Sequence, residues 1–260
     1  MNALYTIPSW LLLFVAIAVA GGLTAAGQLA VRRAFPRVDF ADFNAVSGIV
    51  LGVVGALFAV TVAFIIAIVW QEFDATSQRS GREVGAALDL WHVSRGLREP
   101  AGGQLRRELV GYADLLVNDE WPKMRNGESS QNAESLLTRT YEDVARFRPA
   151  NAGEANAQAM ALQYLGTLHD ARHQRLDDNT SGIAAFDWSI LLIGAVVVVG
   201  LCYLIGMSNF RTQLVMTATV GAMIAAMFVL IFELDQPFRG DLSVAPSAWS
   251  DFAGSHRSGL

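Results

Sequence analysis

Long uncharged apolar runs alternate along the chain with stretches of mixed, helically spaced polarity. A transmembrane helix needs about 20 apolar residues to cross a hydrocarbon core of roughly 30 Å. Four runs meet that requirement: Trp10 to Ala30, Val46 to Trp70, Trp188 to Met207 and Leu214 to Leu234, the last with Glu233 at its end. Pro8-Ser9 opens the first run and Pro36 stops it, because proline cannot continue a helix. Asn44, Asp187 and Thr212 are the predicted N-caps of the second, third and fourth runs, and Pro237 closes the fourth. Trp10, Trp70 and Trp188 lie near run ends, where indole favours the membrane interface. Ala18-Val19-Ala20 has the small-residue look of a signal cleavage site. No basic residue precedes it and the apolar run continues past it, so the segment reads as a retained span.

The insert between spans two and three, residues 71–186, reads as helical throughout. Leu105, Leu109, Tyr112 and Leu116, with the neighbouring Leu115, recur at helical spacing. So do Leu137, Tyr141 and Val144, and so do Ala161, Leu165, Leu168 and Arg172. Arg98-Glu99-Pro100-Ala101-Gly102-Gly103 and Asn126-Gly127 are breaks, which gives about four helices. The outer two are expected to continue spans two and three, with a kink near Gly182. Glu120-Trp121-Pro122 is expected to end a helix, with Trp121 extended before the proline and buried among the insert's helices. The fold class is therefore all-α: an integral membrane protein with helices one and two in residues 1–70, helices three and four in residues 187–236, and a helical soluble insert. Residues 237–260, rich in Gly, Ser, Pro and Ala, read as a loose tail.

Composition sharpens this picture. Hydrophobic residues make up 53% and charged residues 17% of the 260, against roughly 25% charged in a soluble domain. That balance excludes an ordinary soluble enzyme, a secreted disulfide scaffold and a disordered chain. The single cysteine, Cys202, allows no internal disulfide and reads as a small core residue. A net charge of −5 points away from nucleic acid. An even number of spans puts the termini and the insert on one side. Arg32, Arg33 and Arg37 after span one, and Arg211 after span three, place those loops in the cytoplasm and the insert outside. Arg79, Arg82, Arg172, Arg175 and Arg239 on the insert's flanks pull the other way, and the side stays open.

Span two carries the most information. Gly48, Gly52, Gly55, Ala56, Ala59, Ala63 and Ala67 share one face, and small residues let helix backbones approach closely in lipid. Two partners fit that face: spans one or four of the same subunit, or the same helix of neighbouring subunits. Leu57, Thr61, Phe64 and Ile68 share another face, a candidate pore lining or a lipid-facing stripe. Span four repeats the small-residue stripe at Ala218, Gly221, Ala222 and Ala225. No ionisable residue lies at mid-depth in any span, which argues against a proton-driven transporter. Glu72, Asp74, Asp187, Glu233 and Asp235 instead crowd the span ends on the insert side. They form either an acidic vestibule or capping and ion pairs with Arg172, Arg175 or Arg239. His169 and His173 stand four apart on a predicted helix, with Asp177 on the same face, a spacing that can chelate Zn²⁺. The HExxH pattern is missing and Arg172 intervenes, so this reads as a solvated or ion-paired face. No cofactor is expected, and no phosphate loop, nucleophile elbow or paired-cysteine site supports an enzyme.

Several of these residues together resemble a bacterial membrane family labelled bestrophin-like domain proteins. The resemblance runs from about Asn44 to Gly240. It rests on Trp70-Gln71-Glu72-Phe73 with Ala75, Tyr112, Glu120-Trp121-Pro122, Arg172-x-x-Arg175 before Asp187-Trp188, and Asp235-Gln236-Pro237-Phe238-Arg239-Gly240. The chain departs from the family's Glu-Ala pair after span two, where Glu83 is followed by Val84. The resemblance implies an architecture like that of true bestrophins. These are pentameric anion channels with four spans per subunit, a cytoplasmic helical domain between spans two and three, and a neck lined by span two. It also implies a bacterial inner-membrane location and a cytoplasmic insert. Two further departures are that no proline lies between Asn44 and Trp70, and that no acidic calcium clasp can be placed.

Two functions follow as expectations. The first is an oligomeric ion channel in the lipid bilayer, with span two lining the pore, the insert forming a vestibule and the stripes of spans two and four making subunit contacts. The second is a non-conducting membrane scaffold or sensor, whose insert binds a partner or ligand through the surface around Glu120 or Arg172.

Overall fold

Among the described residues, four helical stretches are long and apolar enough to cross a membrane: Ser9–Ala34, Phe40–Ser94, Ala152–Tyr203 and Phe210–Leu234. The computed structural model describes residue 5 and residues 7–257. Among these the elements are α1 (Ser9–Ala34), a 3₁₀ turn (Phe40–Phe43), α2 (Asn44–Ser94), α3 (Ala101–Leu115), a π turn (Leu116–Glu120) and α4 (Trp121–Met124). They continue with α5 (Gln131–Arg146), α6 (Ala152–Thr180), α7 (Ala185–Tyr203), α8 (Phe210–Leu234) and α9 (Ser247–His256). The chain divides into two compact units, one of Met1–Glu72 with Gly182–Asp235, the other of Phe73–Ser181 with Gln236–Leu260.

The first unit holds the apolar helices. Its most extensive packing joins α1 and α8 through small residues. A Cβ added to Gly221 would lie 2.5 Å from Cγ2 of Thr24, and one added to Gly21 would lie 3.4 Å from the carbonyl oxygen of Ala218. The small stripe of span four is thus occupied inside the subunit. Its assignment to subunit contacts is corrected on that ground. Phe58 of α2 fills the space left by Gly194 of α7, where a Cβ would lie 2.5 Å from the ring.

Buried polar contacts stitch the other end of this unit. Arg32 donates to Gln213 Oε1 at 2.8 Å and to the Ile205 carbonyl at 3.1 Å, and its guanidinium lies 4.3 Å from the centroid of Phe40. Asn44 and Gly206 exchange two hydrogen bonds, at 2.7 and 2.8 Å. Gly206 packs so tightly that a Cβ there would lie 2.4 Å from the Ala41 nitrogen. Residues 204–207, expected at the end of span three, are drawn into this loop and out of the helix. Asn44 therefore bridges to Gly206, while Asp39 caps the preceding 3₁₀ turn. Ala184 is the N-cap of α7, with Asp187 in its first turn, where a negative charge meets the positive helix end. Asn209 caps α8 by accepting from the backbone N–H of Arg211 and Thr212.

The second unit is built from the C-terminal part of α2, α3 to α6, and α9. Helix α2 continues without interruption from span two, as expected. Span three behaves differently: α6 ends at Thr180 with Ser181 extended, and α7 starts anew at Ala185. The Ile183 N–H, freed from a helical ladder, donates to Asp235 Oδ1 at 2.5 Å.

The core of this unit gathers Leu90, Leu109, Tyr112, Leu116, Leu165, Leu168 and Trp249, each 2% exposed or less. Trp249 lies on α9, so residues 247–256 are a docked helix where the sequence suggests a loose tail; residues 258–260 of that tail lie outside the described ones. The Trp249 and Tyr112 rings meet edge to face at 5.5 Å, and Phe252 meets Trp91 at 6.3 Å. Trp121 is buried as expected, with its indole N–H donating to the Val244 carbonyl at 2.9 Å. Pro122 does not end the helix there. Trp121 is helical (φ −59, ψ −44), and the chain winds on to Met124. A π turn at Leu116–Glu120 widens the coil just upstream, which accommodates a residue without an N–H.

Candidate functional site

Burial along α2 beyond the membrane span falls on Thr76, Ser80, Glu83, Ala87, Leu90 and Ser94, a stripe at steps of three and four. Along α6 it falls on Ala161, Leu165, Leu168, Arg172, Arg175 and Asn179, again at helical steps. Charged residues thus stand in line with core leucines, and they must meet partners because an unpaired buried charge is costly.

The partners converge on two carboxylates. Arg175 donates from Nε to Glu83 Oε2 at 2.7 Å and from Nη2 to Glu83 Oε1 at 3.1 Å. Its Nη2 also reaches Glu120 Oε1 at 2.6 Å. Arg172 donates from Nη2 to Glu120 Oε2 at 2.6 Å and from Nε to Glu120 Oε1 at 3.2 Å. The Ser130 N–H donates to Glu120 Oε2 at 3.1 Å, and Tyr112 donates its hydroxyl to Glu83 at 3.3 Å. The Arg175 guanidinium lies 4.5 Å from the centroid of Trp121, so the cluster is closed by an aromatic face. Glu120 is the last residue of the π turn, and the extra residue in that turn sets the rotation at which its carboxylate enters the core. Nearby, Asp178 accepts from Thr76 at 3.2 Å and from Arg79 at 2.8 Å, a second tie between α2 and α6.

Burial works against the charged form of Glu120. The hydrogen bonds and positive charge of Arg172 and Arg175 outweigh it and hold the carboxyl below the ordinary glutamate range. Burial likewise disfavours charge on Arg175, yet the Glu83 and Glu120 carboxylates keep it protonated. Tyr112 is pushed well above its usual range by burial first and by the Glu83 charge second.

This placement corrects the sequence reading of Arg172 and Arg175. They are 1% and 0% exposed and pair inward, with Glu120 and Glu83, and not with the carboxylates at the span ends. Glu120 and Arg172 are equally unavailable as a surface for a partner. Glu83 was read only as a departure from a family pattern. The signal that could have found it is its step from Ala87 and Leu90 on the core face of α2.

The span-end carboxylates have separate fates. Glu72 and Asp74 are exposed, and Asp74 accepts from Gln78 at 2.8 Å. Asp187 is half-buried, while Asp235 receives the Ile183 N–H. Glu233 is 2% exposed, and among the described residues neither of its oxygens has a hydrogen-bond partner.

In span two, Leu57, Phe64 and Ile68 are 66, 66 and 63% exposed, and Thr61 donates back to the Leu57 carbonyl at 3.0 Å. A Cβ on Gly48, Gly52 or Gly55 would meet nothing within 4 Å, and Ala59 and Ala63 are exposed. Among the described residues, the small face of α2 is therefore not packed against another helix of its own subunit. His169 and His173 lie side by side, with Glu134 of α5 as the nearby carboxylate in place of Asp177.

Solved structures with the same fold include a point variant of a bacterial Bestrophin homolog from Klebsiella pneumoniae, at TM-score 0.67 and 13% identity, covering 94% of this chain and 98% of that one. Another variant of that homolog matches at TM-score 0.64 and 15% identity, covering 95% and 96%. A third structure, described as a membrane protein, matches at 0.62 and 12%, covering 92% and 96%. No curated protein matches the chain. The family model for the Bestrophin-like domain matches residues 18–249, nearly the whole chain, and the protein belongs to that family.

Proposed function

We propose that the protein is an oligomeric ion channel of the bacterial inner membrane, with α2 lining the pore. The observation that carries this reading is the state of α2. It keeps a small-residue face, Gly48, Gly52, Gly55, Ala59 and Ala63, with no neighbour inside the subunit, whereas the equivalent stripe on α8 is filled by α1. In lipid, small residues stabilise helix pairs by close backbone approach. An unoccupied stripe calls for copies of the same chain around an axis. A pentamer is the number suggested by likeness to bestrophins. Beside that stripe, Leu57, Thr61, Phe64 and Ile68 offer an apolar wall that gates by dewetting when ringed by its copies. The insert forms a vestibule, to which Glu72, Asp74, Asp187 and Asp235 contribute acidic groups; ion selectivity rests on whether these stay charged. The test is single-channel recording in planar bilayers: Phe64→Ala should raise conductance or open probability, and an unchanged current would remove α2 from the pore.

A second reading has its own observation. The insert carries a groove of about 410 Å³ lined by Leu137, Thr138, Tyr141, Glu142, Leu165, Gly166 and His169. A membrane sensor would bind a small ligand there, and such a protein would oligomerise without conducting.

A further inference from the structure

Glu134, His169 and His173 each place one ligating atom within 4.8 Å of the other two. The histidines stand one turn apart on α6, with ring centroids 4.3 Å apart. Glu134 comes from the first turn of α5, so the trio joins two helices.

Charge balance singles out this carboxylate. Arg172 and Arg175 face Glu83 and Glu120 in full burial, two positive groups against two negative. Glu134 is a third carboxylate, with its side chain 35% exposed, and it also touches Arg172. The buried pairs are complete without it. The surplus negative charge therefore sits at the rim of the cluster, on the residue that shares its place with two imidazoles. His173 is exposed and His169 half-buried, so the place is open to solvent.

We propose that Glu134, His169 and His173 bind a divalent transition-metal ion of the zinc class, fastening α5 to α6 beside the buried Arg–Glu cluster. Two imidazole nitrogens and one carboxylate oxygen are a donor set that suits Zn²⁺; Mg²⁺ and Ca²⁺ prefer oxygen alone. Ligands about 2.0–2.1 Å from a tetrahedral ion lie about 3.3 Å from one another. For the proposed site the three side chains turn toward one ion, so that the spread of 4.8 Å shortens to that distance. Three protein ligands leave a fourth position for water or an anion. Arg172 is the outer partner that orients Glu134. Arg172 Nη1 pairs with one oxygen of Glu134, which leaves the other oxygen for the ion, and the Nη2 and Nε contacts of Arg172 to Glu120 at 2.6 and 3.2 Å and to the Ser130 carbonyl at 3.1 Å are untouched.

The experiment uses the full chain in detergent, without a polyhistidine tag and stripped by chelator, titrated with Zn²⁺ and with Co²⁺ as a spectroscopic probe. The expected result is about one ion per chain and a tetrahedral Co²⁺ visible spectrum. His173→Ala and Glu134→Gln should each weaken binding at least tenfold, at unchanged helical content and elution volume, by analogy with the cost of disturbing ligand shells. A 100-fold excess of Mg²⁺ should not displace the ion. Failure of the wild-type chain to bind, or equal affinity and an unchanged Co²⁺ spectrum in both variants, would overturn the proposal, because the ion would then be absent or held elsewhere.

Discussion

Arg175 holds both oxygens of Glu83, at 2.7 Å from Nε and 3.1 Å from Nη2, with each side chain fully buried. The pair ties α6 to the same helix that forms span two. Glu120 joins it through the other side of the Arg175 guanidinium, and Arg172 completes the set. A cluster of this kind is worth less than its contacts suggest, because desolvating four charges offsets most of the attraction. Its effect on stability shows when one member is removed.

Arg175→Ala leaves the buried Glu83 carboxylate without its cation, and Glu83→Ala leaves the buried Arg175 with Glu120 as its one carboxylate partner, itself shared with Arg172. Each should cost about 3–5 kcal/mol, enough to unfold the insert in many preparations. Thermal unfolding in detergent checks this. The double change Glu83→Leu with Arg175→Met should be milder than either single change, and additive losses would show that the two residues are not coupled.

Acid should loosen the same cluster. Glu120 has a folded pKa below its usual value of 4.5. Its contribution to stability is complete above the unfolded value and is lost as pH falls from there through the lower folded value. Asp119, held down by hydrogen bonds from Lys123 and Ser130, and Glu99, held down by Arg106, act in the same direction. Tm should therefore fall as pH drops below about 4.5, and Glu120→Gln should give a lower Tm with a flatter acid slope. An acid slope as steep as wild type in that variant would place the titrating group elsewhere.

Two glycines separate packing within the subunit from packing between copies. Gly52→Leu meets nothing inside the subunit, whereas Gly221→Leu drives into Thr24. The first should leave helical content intact and shift the particle to a smaller size, and the second should lower Tm by overpacking of about 1–3 kcal/mol or more. Light scattering with circular dichroism reads both. An unchanged particle size for Gly52→Leu would remove the small face of α2 from the subunit contact.

The C-terminal helix should behave as part of the insert core. Trp249→Ala removes a fully buried indole and should cost about 3–5 kcal/mol. Limited proteolysis should then cleave before Ser247 first, while wild type resists there.

Much of this fold was legible because apolar runs and helical steps are local signals. The four spans, the helical insert and the burial of Trp121 follow from them. Arg172 and Arg175 were misplaced because a basic residue near a membrane run looks like a flank charge. What overrides that look is their register with Leu165 and Leu168, together with partners 55 and 92 residues away. The π turn that admits Pro122 leaves no mark in residue spacing. The tail was misread because Gly, Ser and Pro masked Trp249 and Phe252, one turn apart, whose burial depends on α3 and the end of α2. The small face of α2 was visible as a pattern, but only the structure shows that its own subunit leaves it uncovered.

Flux through purified protein in liposomes, with chloride and potassium gradients compared, decides whether the protein conducts. Protein-dependent ion flux is expected, changed by Phe64→Ala and abolished by Gly52→Leu. Chloride flux would mean that the carboxylates at the span ends are neutralised, and potassium flux that they stay charged and concentrate cations. Folded, oligomeric protein that passes neither ion, with or without added Zn²⁺, would contradict the channel and favour the sensor.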